Sequence, residues 1–93
     1  MTIFDQISLR IIKEQELIIG PIAWDEAKKV PGLQIIDQNT GKVSSGSNAT
    51  EVLNKLVEQY TRLFGRASSE VCREAVADLL IELPKDQIPT SLK

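Results

Sequence analysis

The chain has 93 residues, 42% of them hydrophobic and 26% charged, with a net charge of -2, the balance of one folded domain rather than of a disordered tract or a polyanion-binding surface. Histidine is absent and cysteine occurs once, which excludes within the chain thiolate and imidazole zinc sites, the facial triad of non-haem iron, histidine-based triads and an internal disulfide. The longest apolar run, LIIGPIAW at 17–24, is broken by Gly-Pro and far short of the roughly 20 residues that cross a bilayer.

The start MTIFDQISLR carries acidic and polar residues where a signal peptide has a basic start and an apolar run, so a cytoplasmic protein is expected. Phe4, Ile7, Ile11 and Ile18 fall near one helical stripe, which Ile3, Leu9, Ile12 and Ile19 widen, and a helix over about 3–19 follows. The ELIIG end of this run also suits a buried strand. Gly20 and Pro21 punctuate it. Pro21 then opens a second, short helix with Asp25 and Glu26 early and Lys28 and Lys29 late, in keeping with the helix dipole, and Pro31-Gly32 stops it. Trp24 on this helix is expected in the core.

From residue 33 the period changes. LQIID is apolar and β-branched, NTG is turn chemistry and KVSS resumes an extended run, so a short β-hairpin is expected between 33 and 45. Two strands alone are marginal and must lean on the helices or on another chain. SSGSNAT at 44–50 is a loop that leads into Asn48 or Thr50 as helix cap, with Asn48 and Glu51 at capping-box spacing. Leu53, Leu56, Val57, Tyr60, Leu63 and Phe64 then mark an amphipathic helix that Gly65 ends. Ser68 or Ser69 is expected to cap a last helix running to about Leu83 before Pro84. The expected fold is therefore mainly α: a small bundle of three to four helices with a short hairpin, in a single helical domain over 1–84 followed by a flexible tail over 85–93.

The helix pair at 52–83, joined at Gly65, admits a helix-turn-helix reading. Against it, the second helix carries Glu70, Glu74, Asp78 and Glu82 with only Arg73 among them, and a groove-entering element so charged would be repelled by phosphate. Cys72, near the start of the same helix with Arg66 and Arg73 close in sequence, admits a reactive-thiol reading. It shares a stripe with Val76, Leu79, Leu80 and Leu83, where a core residue belongs, and there is no histidine to activate it. Glu70, Glu74 and Asp78 align at i, i+4, i+8 as the wet side of an amphipathic helix does, and no glycine pattern suits a phosphate. No catalytic residue, cofactor or metal is predicted.

The first helix offers more apolar surface than one neighbour covers, and unburied stripes mark partner sites. The sequence therefore reads as a small regulatory or protein–protein interaction protein rather than an enzyme, self-associating through apolar helices, with a homodimer favoured and another protein as a further partner. A helical DNA-binding regulator is the alternative, and a protein with a reactive Cys72 the second. The expected partner contacts are Leu9, Ile12 and Ile19 on the first helix, Asn39 and Lys42 at the hairpin tip, and Ser45 and Asn48 in the polar loop.

Overall fold

A computed structural model describes residues 2–93. Four helices and a two-stranded sheet follow one another as α1 (Ile3–Ile19), α2 (Ile22–Ala27), β1 (Gln34–Asp37), β2 (Lys42–Ser44), α3 (Ala49–Phe64) and α4 (Arg66–Leu80), and two 3-10 turns, Lys85–Gln87 and Thr90–Leu92, close the described chain. The molecule is mainly helical, as the periodicity predicts.

α1 begins in a capping box that needs no glutamate: the Thr2 hydroxyl accepts from the Asp5 N–H at 3.1 Å and the Asp5 carboxylate accepts from the Thr2 N–H at 3.0 Å. Both orphan donors at the helix start are thereby satisfied. The helix stays regular through the ELII segment, and the Gly20 N–H closes it on the Glu16 carbonyl. Helical continuation prevails over β propensity there because the preceding turns already supply the hydrogen-bond ladder.

The wide apolar arc of α1 is used internally. α1 packs against α4, α2, α3 and β2, and Ile7, Ile11 and Ile12 are fully buried among Leu53, Leu56, Tyr60, Cys72 and Val76. Each such isoleucine contributes about 1.5–3 kcal/mol of burial. α2 lies across the end of this packing. Its Trp24 is buried and donates from Nε1 to Glu16 at 2.8 Å, while the Tyr60 hydroxyl donates to the Ala23 carbonyl at 2.7 Å and ties α2 to α3.

The strands pair antiparallel in the register Gln34 with Ser44, Ile35 with Val43 and Asp37 with Lys42, so Ile36 is the extra residue of a bulge on β1. Val43 is buried under the hairpin while Ile36 faces outward. The Asp37 carboxylate accepts from the Asn39 and Thr40 N–H groups and shapes the turn. At the far end of β2, Asp5 Oδ1 accepts both the N–H and the hydroxyl of Ser45 at 2.8 Å, which fastens the hairpin to the start of α1.

Several boundaries differ from the sequence expectation: α2 ends at Ala27 and α4 at Leu80, each about three residues early, and Asn48, at the N-cap position of α3, makes no side-chain capping bond. Ser68 and Ser69 do not cap the last helix: Gly65, at φ 90°, ends α3 and starts α4 by itself, in a backbone region that glycine alone enters freely. Ser68 is buried inside the first turn of α4, and the Ser69 hydroxyl bonds back to the Arg66 carbonyl. The segment 85–93, expected to be a loose tail, is docked. Pro89 and Leu92 are buried beside α3 and α4, and the Ser91 N–H and hydroxyl both donate to Asn54 Oδ1, at 3.0 and 2.7 Å. Ile88 and Leu92 extend the apolar pattern beyond Pro84, and Asn54 on the half-buried side of α3 receives the Ser91 between them.

Burial by itself would push the Asp5 pKa up, but the Ser45 and Thr2 donors outweigh it and hold the carboxyl below the ordinary aspartate range. A depressed folded value means that this stabilisation is complete above the unfolded pKa of about 3.9 and is lost as pH falls through the lower folded value. Asp5→Asn is therefore expected to lower the thermal midpoint at pH 7, by an amount equivalent to about 1–2 kcal/mol, and to flatten the fall below pH 4. Melting curves at pH 7, 4 and 2.5 check it, and an unaltered acid slope would remove Asp5 from this role.

Candidate functional site

The expected contact residues divide into those inside the fold and those outside it. Ile12 is fully buried in the central packing of α1, and Ser45 is buried with both its donors spent on Asp5. Neither is available to a partner, which corrects their assignment as contacts; the apolar face that carries Ile12 meets the other helices, and the polar loop begins with a structural serine. Leu9 is half-buried beneath the hairpin turn, where a Cβ at Gly41 (φ 74°) would stand 3.4 Å from its side chain. Ile19 is half-buried against the core. Asn39, Lys42 and Asn48 are exposed, but they are separate polar groups: Asn48 spends its amide on the Glu51 carboxylate, three residues on.

The exposed apolar surface lies elsewhere. Leu17 and Ile18 in the last turn of α1 are 80% and 61% exposed, and Ile22, Leu63 and Phe64 are exposed as well. These five belong to one end of the bundle. α1 and α4 run antiparallel, since Gln15 reaches Ser68 and Cys72 while Arg10 reaches Ala75 and Asp78. The last turn of α1 therefore stands beside the first turn of α4, and hence beside the end of α3. Tyr60, bonded to Ala23, sets Ile22 close to Leu63 and Phe64 one turn further along α3. Every residue from Arg62 to Ala67 is exposed.

The geometry of this end has a local cause. A one-residue connection joins the two helices, so the last turn of α3 and the first of α4 meet at an exposed corner. Ile18 also borders a shallow groove of about 480 Å³ between α1 and α4, with Val71, Glu14, Glu74 and Asp78 along its walls. The signal for this patch was present in the sequence as two adjacent apolar pairs, Leu17-Ile18 and Leu63-Phe64, each placed at a helix end where one stripe cannot bury both members.

A second groove, of about 430 Å³, lies between Val30–Pro31 and the Lys55, Glu58, Gln59 and Arg62 side of α3. Apart from Glu58, which faces water, its charged groups are engaged within the chain. Glu26 accepts from Lys29 at 3.0 Å and from Gln59 at 2.7 Å, Arg62 donates to Gln59 at 2.7 Å, and Lys55 pairs with Glu51. The Lys29 ammonium and the Gln59 amide hold the Glu26 carboxyl below the ordinary range. This relay ties α2 to α3.

Cys72 is fully buried between α1 and α4, and burial pushes its thiol up to about 11 against the opposing hydrogen bond from Gln15. Gln15 is itself fully buried. Its amide donates to the Ser68 carbonyl at 3.1 Å and to the Cys72 sulfur at 3.3 Å, and its carbonyl oxygen has no partner. On α4 the row Glu70, Glu74, Asp78 faces water, with Asp78 bridged to Arg10 at 3.1 Å. Among the described residues no cluster of three or more metal-ligating side chains is gathered, and no helix is long and apolar enough to cross a membrane.

No known protein family, curated protein or solved structure matches this chain.

Two outcomes follow from the α1–α4 interface. Cys72 is expected to resist an aromatic disulfide reagent in the native protein and to react stoichiometrically in denaturant; rapid native labelling would contradict the buried thiol. Gln15→Met removes an orphaned acceptor and two hydrogen bonds, one of them to a carbonyl already engaged within α4, so the melting temperature should hold or rise by up to about 5 °C. A fall of the same size would show that the glutamine stabilises the interface.

Proposed function

We propose that the protein is a small interaction protein of regulatory kind, which acts by occupying a partner surface rather than by chemistry, and that its contact surface is the apolar end of the bundle formed by Leu17, Ile18, Ile22, Leu63 and Phe64. The observation that carries the reading is this patch. Together the five side chains leave on the order of 500 Å² uncovered, in the upper part of the roughly 300–600 Å² range of the largest apolar patch on a monomer, where such patches are often functional. Interfaces are enriched in aromatic residues, and Phe64 is the aromatic member of this patch.

Two other readings receive less support. A nucleic-acid surface would have to use α4, whose outward row is acidic, so the duplex would meet carboxylates where phosphate contacts are needed. A working thiol would need access and a base or cation beside it, whereas Cys72 is sealed in and held protonated.

A photo-reactive benzophenone side chain in place of Phe64 tests the surface directly, with one in place of Ile81, equally apolar and more exposed on the last turn after α4, as control. Irradiation in the native host is expected to give a discrete adduct from position 64 and none from position 81. No adduct at 64, or equal adducts at both, would overturn the assignment.

A further inference from the structure

Resting on the surface just proposed, we infer that its occupant is a second copy of the same chain, packed end against end across a two-fold axis. The first argument is size. A stable interface buries about 800 Å² on each partner, and homodimer interfaces are about 65% apolar, so each copy must supply on the order of 500 Å² of apolar surface. The exposed ends of α1 and α3 with Ile22 supply that amount from one patch. Smaller contacts would leave it partly wet.

The second argument is charge. A two-fold axis sets each surface against itself, so a rim of one sign would repel its own copy. The rim here carries both signs on different elements. Glu16 and Asp25 stand on the α1–α2 side, whereas Arg62 and Arg66 stand at the α3–α4 corner, together with the positive end of α4, which starts at Gly65 without a side-chain cap. A two-fold rotation that lays Leu63 and Phe64 of one copy on Leu17, Ile18 and Ile22 of the other brings the basic corner of each over the acidic side of its neighbour, twice. A net charge of -2 adds no strong long-range repulsion between copies.

Sedimentation equilibrium of the full chain from low-micromolar to near-millimolar concentration tests the inference. The expected result is a mass rising to twice 10.3 kDa. Phe64→Glu and Ile18→Glu, both at exposed positions, are each expected to weaken association by roughly thirty-fold with an unchanged helical circular dichroism spectrum. Ile22→Glu serves if either variant loses its fold. Asp25→Arg and Arg66→Glu should each weaken the dimer by roughly two- to five-fold, and the chain carrying both should recover most of the loss. A monomer at every concentration, a dimer that folded Phe64→Glu and Ile18→Glu leave intact, or a double charge reversal that fails to recover would each overturn the inference. The photo-adduct at position 64 separates the two levels: an adduct with a different protein removes the second copy and keeps the surface, and no adduct removes both.

Discussion

The middle turns of α1 keep only a narrow wet strip, at Gln6, Arg10 and Lys13, and the other elements are placed by the need to cover the rest. Ile7, Ile11 and Ile12 project in directions that no single neighbour spans, so α3 and α4 pack along the helix, α2 crosses its end and β2 closes the remaining side. A central helix of this kind leaves its polar residues in difficult positions. Asp5, Ser8 and Gln15 all fall within the covered surface. The Asp5 carboxylate accepts from three donors on Thr2 and Ser45, and the Ser8 hydroxyl turns back to the Phe4 carbonyl at 3.0 Å. Gln15 is only half satisfied, which places the least favourable polar group of the interior at the contact between α1 and α4.

Much of the architecture was legible from period and punctuation. The first helix runs over the expected residues because its apolar spacing, its length and Gly20 agree. The hairpin falls between 33 and 45 because β-branched residues flank turn chemistry there, and the α3 stripe from Leu53 to Tyr60 is buried as its spacing requires. Cys72 and Trp24 lie in the core for the same reason. Missing from the linear pattern were the long-range polar ties. Nothing near Asp5 in sequence points to Ser45, forty residues away, and nothing near Asn54 announces the Ser91 that it holds.

The candidate surface was harder to read than the fold. Sequence periodicity ranks the residues of a helix by stripe but does not say which stretch of the helix the neighbours reach. Ile12 lies off the narrow stripe yet in the middle of the covered length, so it is buried; Ile18 lies on the stripe yet beyond the covered length, so it is exposed. Both position along the axis and angle around it decided burial, since Ile19, one residue beyond Ile18, is half-buried against the core. The same reasoning accounts for Leu63 and Phe64, which continue the stripe of α3 past the last element able to meet it.

The single glycine between α3 and α4 also has a mechanical meaning. A connection of several residues lets two helices turn independently, whereas one residue leaves almost no slack, so α3 cannot twist about its axis without dragging the start of α4. α3 is anchored by Tyr60 on Ala23 and α4 by Ser68 on Gln15, within five residues of the corner on either side. A torque applied at Leu63 or Phe64 therefore reaches both anchors together, and a load on this corner is felt at once by α1 and α2.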